Sequence, residues 1–122
     1  TLEFDGALYD KAASLEEARA RLLALRGQPH HLHSAVTLAK DGEVLWSETA
    51  CATLTMRDFS EPFLDAYLDQ EGEALLGSVG CYRLEGPGAQ LFAQIEGDYF
   101  AILGLPLLGL LDQLRQRGAL VP

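Results

Sequence analysis

Residues 77–111 read GSVGCYRLEGPGAQLFAQIEGDYFAILGLPLLGLL, short apolar runs punctuated by glycine and proline. Glycines such as Gly80, Gly86, Gly88, Gly97 and Gly104 stand where a backbone must turn sharply or let a ligand approach closely, since a residue without Cβ enters conformations that others avoid. The pattern predicts a strand over 81–84, a turn at Gly86-Pro87-Gly88, a second strand over 90–95, a tight crossing at Gly97-Asp98, and a helix opened by Leu105-Pro106. A site shaped by backbone geometry is expected here.

Working outward, the helix predicted over 106–117 turns Leu107, Leu108, Leu110, Leu111 and Leu114 inward and stops at Gly118. Upstream, Ser60 caps a helix with Pro62 in its first turn, an apolar stripe of Phe63, Leu64, Tyr67 and Leu68, and Gly72 at its end. Alternation over 31–39, the turn pair Asp41-Gly42 and a second run over 44–56 predict a long antiparallel hairpin. Its second strand carries Ser47, Thr49, Cys51, Thr53 and Thr55 on one side, so that face meets water or something thin. Ser14-Leu15-Glu16-Glu17 forms a capping box for a helix over 15–26, which Gly27 ends, and residues 1–9 read as a strand tail turning at Asp5-Gly6. Strands and helices in this order give an α/β fold, a mixed β-sheet flanked by helices, in a single domain over 1–122.

The chain has 122 residues, 48% of them apolar, enough for one core. A formal net charge of −9, from 18 acidic against 9 basic residues, argues against a nucleic-acid polymer or an anionic membrane surface as partner. A small polyphosphate remains compatible where a few cations gather. No apolar run reaches the roughly 20 residues of a membrane span, and the first residues do not resemble a signal peptide. Cys51 and Cys81 lack C-x-x-C spacing and read as half-buried strand cysteines in a reducing cytoplasm.

Several residues invite chemistry. His30, His31 and His33 suggest a metal site, but no acidic or cysteine partner has matching spacing, and a hydrogen-bonded strand entry explains them as well. Gly86-Pro87-Gly88 resembles a phosphate cradle only loosely, lacking a P-loop Lys-Ser/Thr, and a plain turn accounts for it. Lys11, Arg57 and Arg83 lie near turns or strand ends, where a cation meets an anionic ligand or simply water. Glu85, between Leu84 and Gly86, is placed to accept hydrogen bonds from a base or to hold a metal, with a solvated turn residue as the alternative. No complete catalytic set emerges, and these features name no reaction.

Taken together, several stretches resemble the Maf family of nucleoside triphosphate pyrophosphatases, the septum-formation proteins. Lys11 stands where the family has G-K-P, here within Asp10-Lys11-Ala12. Gly27-Gln28-Pro29-His30 resembles G-R-x-H, followed by His31-Leu32-His33-Ser34-Ala35-Val36 in place of x-V-x-T-G-V. Leu54-Thr55-Met56-Arg57-Asp58-Phe59-Ser60 is similar to V-x-F-R-x-L-S, with Tyr67 following in the helix. Cys81-Tyr82-Arg83-Leu84-Glu85-Gly86 falls on A-Y-G-I-Q-G. Ile95-Glu96-Gly97-Asp98-Tyr99 and Gly104-Leu105-Pro106-Leu107 fall on I-x-G-S-Y and V-G-L-P-L. Two departures bear on substrate. Gly77-Ser78-Val79-Gly80 replaces D-K-A-G, removing a lysine. Glu85 replaces the Gln of the dTTP/UTP branch, so that Arg83-Leu84-Glu85-Gly86 and Leu91-Phe92 look more like the K-S-E-G and L-F of the 7-methyl-GTP branch. A carboxylate only accepts where an amide also donates, so the base edge it reads must differ.

The resemblance implies the C-terminal part of the Maf/ITPase-like fold, incomplete at its N-terminal side. It implies cytoplasmic, house-cleaning hydrolysis of a nucleoside triphosphate, including a modified one, to monophosphate and pyrophosphate. By the resemblance Lys11, Glu85 and Arg83 would bind substrate and a divalent metal, Mg or Mn, is expected, while Asp98 reads as capping a turn. The family's S-x-S-P-R-R loop, acidic residue and D-T or D-Q motif would lie upstream of Thr1, with the general base among them. The alternative is a catalytically silent remnant that binds nucleotide or a partner through an exposed strand edge, including a second copy in a homodimer. A structural module whose glycines serve turns alone is the third reading.

Overall fold

The computed structural model describes residues 1–122 and orders five strands in one sheet as Ala7–Tyr9, Leu2–Phe4, Pro29–Lys40, Glu43–Met56 and Phe92–Glu96. The chain forms two compact units, one from Thr1–Leu32 with Thr53–Glu96, the other from His33–Ala52 with Gly97–Pro122. No helix is long and apolar enough to cross a membrane.

In the first unit, β1 (Leu2–Phe4) folds back on β2 (Ala7–Tyr9) through Asp5-Gly6, and Leu2, fully buried, also faces Leu32 of β3 (Pro29–Lys40) in an antiparallel pair. Helix α1 (Leu15–Leu25) starts where the sequence puts it: Glu17 N–H donates to Ser14 Oγ at 3.1 Å. The Glu17 carboxylate accepts from Ala13 N–H at 3.2 Å, one residue before the cap rather than at it. Ala18, Leu22 and Leu25 form its buried face.

Strand β4 (Glu43–Met56) buries Ala52, Leu54 and Met56 while Cys51, Thr53 and Thr55 stay at least partly exposed, the period of two expected of a one-sided strand. Helix α2 (Glu61–Glu71) is capped by Ser60 Oγ, which accepts from Phe63 N–H at 3.2 Å, and buries Leu64, Tyr67 and Leu68. A 3₁₀ segment, Gly72–Gly77, follows and packs with α1 and α2 around buried Leu75. These helices and the inner face of the sheet make the core that carries the candidate site.

One expected strand does not form. Residues 81–84 run as a loop, with Cys81 at φ +59°, and Pro87–Leu91 is a 3₁₀ turn; the strand is β5, Phe92–Glu96, antiparallel to β4. The regular ladder stops at Met56 and Phe92, past which Arg57 N–H still donates to Leu91 O at 2.8 Å and its Nε–H to Gln90 O at 2.5 Å. The cysteine reading needs correcting with it: Cys81 is fully buried in that loop, and Cys51 is exposed on β4.

The second unit holds the outer part of the β3–β4 hairpin, which turns at Asp41-Gly42, together with α3 (Tyr99–Ile102) and α4 (Leu107–Gln116). Gly97 fits because a Cβ there would lie 2.7 Å from the Ala52 Cβ. The Asp98 carboxylate then accepts from the N–H groups of Phe100 and Ala101, each at 3.3 Å, the capping role expected of it. Ser34 Oγ donates to Ala101 O at 3.0 Å, and an Arg117 amine to Leu45 O at 3.0 Å. Helix α4 occupies the expected stretch, but none of its leucines is fully buried and Leu108 is 59% exposed. Its apolar face exceeds what this unit covers.

Candidate functional site

Helix α2 holds the glycine-rich loop in place. Tyr67 O–H donates to Cys81 O at 3.0 Å, and one helical turn later the Glu71 carboxylate, only 9% exposed, lies 3.8 Å from the Arg83 guanidinium. Tyr82, between these two anchored residues, goes the other way: its hydroxyl shares a 2.7 Å hydrogen bond with His30 Nε2, and its ring meets Phe92 edge-on at 4.8 Å. Alternate residues of the loop are thus fixed from opposite sides.

Burial decides the chemistry of these anchors. It pushes the Tyr67 phenol well up, helped by the Glu71 charge, and does the same to Tyr82 and to the Cys81 thiol. It lowers His30 to about 4, with the neighbouring His31 charge adding to the effect. All four are neutral near pH 7, so they position the loop and do not move protons.

Beyond Tyr82 the chain turns outward. Gly86 N–H donates to Arg83 O at 3.1 Å, closing a turn that leaves Arg83 half exposed and Glu85 exposed at its tip. Gly88 makes the turn possible, since a Cβ there would sit 2.6 Å from Arg83 O and 2.9 Å from Arg83 N. The Gly86-Pro87-Gly88 run therefore opens a 3₁₀ turn and serves packing.

Lys11 is exposed in the coil before α1. Its segment is tied to the loop by Arg21, a residue that sequence reasoning passed over. The Arg21 side chain is 8% exposed, and one of its terminal nitrogens donates both to Asp10 O and, at 2.7 Å, to Val79 O. The backbones next to Lys11 and leading into Cys81 thereby converge. The available signal was a basic residue beside the buried Leu22, where a long side chain can satisfy carbonyls that helix packing would strand.

The other candidates have structural partners. Arg57 stacks its guanidinium 4.6 Å over Phe63 besides holding Gln90 O. His31 Nδ1 lies 3.0 Å from Thr53 Oγ1, His30 is buried against Tyr82, and His33 belongs to the second unit. Among the described residues no group of three or more His, Cys, Asp or Glu side chains is arranged to hold a metal ion. What the first unit offers is a hydrogen-bonded turn presenting a cation and a carboxylate, with a second cation on another segment of the same unit. Such groups are chemically suited to a charged, hydrogen-bonding ligand.

A family model described as Maf-like protein matches residues 1–117. The chain belongs to the Maf family. Its Maf relatives include a nucleoside triphosphate pyrophosphatase of Caulobacter vibrioides, 62% identical over 98% of this chain and 60% of the relative. Another of the same name, from Granulibacter bethesdensis, is 65% identical over 95% of this chain and 59% of the relative. A 7-methyl-GTP pyrophosphatase of Brucella abortus is 47% identical over 95% of this chain and 58% of that protein. This Maf chain thus spans about three fifths of the length of the curated relatives it matches.

Proposed function

We propose that this Maf chain serves hydrolysis of a nucleoside triphosphate between its α and β phosphates. Water attacks phosphorus, the bridging P–O bond breaks, and a monophosphate and pyrophosphate leave. Lys11 lies against the triphosphate, and Arg83 with Glu85 reads the base. The observation that carries this reading is the shared hydrogen-bond donor of Arg21, which ties Asp10, beside Lys11, to Val79 in the stretch that leads into the turn bearing Arg83 and Glu85. The names of the relatives supply the reaction class.

In such a reaction cations offset charge developing on the phosphate oxygens, and a carboxylate orients or deprotonates the attacking water. Lys11 suits the first task. The general base, and most ligands of a magnesium or manganese ion carried in on the triphosphate, are assigned to residues outside 1–122. A carboxylate at position 85 favours bases that present donors, and the lean toward a modified guanine nucleotide rests on the likeness to a 7-methyl-GTP pyrophosphatase. The same reading makes the protein a cytoplasmic house-cleaning enzyme with no nucleic-acid polymer or membrane as partner, consistent with a net charge of −9. A homodimer would cover the exposed leucines of α4.

The competing reading, a silent binding remnant, draws on the shorter span of this chain relative to its curated relatives. The deciding assay is pyrophosphate release from UTP, dTTP, CTP and 7-methyl-GTP, with magnesium or manganese, by this chain and by Glu85→Gln. Turnover with a changed substrate order in the variant supports the enzyme and the role of Glu85, and overturns the assignment of the general base to residues outside 1–122. Binding without turnover is the outcome expected of a remnant and equally of an enzyme whose general base lies outside 1–122, whereas no binding of any nucleotide overturns nucleotide recognition by this chain and leaves the remnant only its partner-binding form.

A further inference from the structure

Glu71 is the one carboxylate in the first unit's loop support whose oxygen is both buried and unpaired by hydrogen bonding: Oε1 has no such partner, and the side chain is 9% exposed. A charge so placed is costly unless an opposite charge answers it, and the answering group is the Arg83 guanidinium at 3.8 Å. Arg83 is half exposed, so the pair has one buried end and one end in the candidate site. Tyr67 and Glu71 stand one turn apart on α2, matching the loop's alternate residues Cys81 and Arg83. A Cβ at Gly86 would lie 3.8 Å from both Glu71 Oε1 and Arg83 O, so the carboxylate also abuts the turn that carries Glu85.

We propose that Glu71 is a positioning residue for base discrimination: from the end of α2 it fixes the direction of the Arg83 guanidinium and the turn presenting Glu85. The inference rests on the nucleotide reading of this loop. The long Arg83 side chain would otherwise sample many rotamers, and a fixed cation beside a fixed carboxylate distinguishes base edges that a mobile one would blur. Glu71 itself does not touch substrate.

The test has two arms. A double-mutant cycle of denaturant unfolding with Glu71→Gln, Arg83→Met and the pair reads the coupling directly, without any nucleotide. Non-additive changes are expected, and strict additivity overturns the proposal. Should Glu71→Gln not fold, the cycle is run with Glu71→Asp. In the second arm, affinities for UTP, dTTP, CTP and 7-methyl-GTP are compared between the parent, the Glu71 variant and Leu64→Ala, a buried change on α2 with no part in the Glu71–Arg83 pair. The Glu71 variant is expected to alter the ratio between the best and worst nucleotides at least about fivefold, while Leu64→Ala lowers stability and leaves that ratio alone. Equal weakening for every nucleotide overturns the positioning role while the nucleotide reading stands. No binding by the parent overturns the nucleotide reading, and this inference with it.

Discussion

His30 Nε2 and Tyr82 Oη lie 2.7 Å apart, with the imidazole fully buried and its Nδ1 without a hydrogen-bond partner. This pair braces the glycine-rich loop from the side of β3, and only a neutral imidazole suits so dry a place.

Stability is therefore expected to fall with acid. Burial holds the folded value near 4, below the ordinary 6.5, so the unfolded chain takes up this proton first. The contribution is full above about pH 6.5 and is lost as pH falls toward 4, by a total on the order of 3 kcal/mol. Urea midpoints at pH 7 and pH 5 should drop for the parent more than for His30→Gln, which keeps a donor for Tyr82. Equal drops in both would remove His30 as the cause.

Gly88→Ala should destabilise by roughly 1–3 kcal/mol, because its Cβ would collide with the backbone of Arg83, which cannot swing away as a side-chain tip could. Thermal unfolding checks this, and an unchanged midpoint would mean that the loop relaxes freely.

Arg21→Met leaves Asp10 O and Val79 O without their shared donor. A loss of about 1–3 kcal/mol is expected, with faster tryptic cleavage after Lys11 as its segment loosens. An unaltered cleavage rate would show that something other than Arg21 holds Lys11 in place.

Ser14→Ala and Ser60→Ala each remove an oxygen that accepts a first-turn N–H. Each should cost about 1 kcal/mol, and the two losses should add, since the caps serve different helices. A double variant no weaker than either single one would contradict independent capping.

Helix starts at Ser14 and Ser60, the hairpin turn at Asp41-Gly42 and the capping of the crossing by Asp98 were legible from the chain alone. Each depends on residues within a few positions of one another: a hydroxyl or carboxylate meeting the next turn's N–H, or a turn pair that tolerates positive φ. Family membership was legible too, because ordered motifs survive in a linear reading.

The loop over 81–88 was not. Alternating Cys81-Tyr82-Arg83-Leu84 has the pattern of a strand, yet Tyr67, Glu71 and His30 seize its side chains and carbonyls, and the ladder with β4 reaches back only to Phe92. None of those partners is a sequence neighbour. Lys11, Arg83 and Glu85 could be picked out as charged residues in suitable stretches, but the roles of Arg21 and Glu71 come from burial. A guanidinium or carboxylate removed from water must find its counterpart, and only the folded chain determines which groups are buried together.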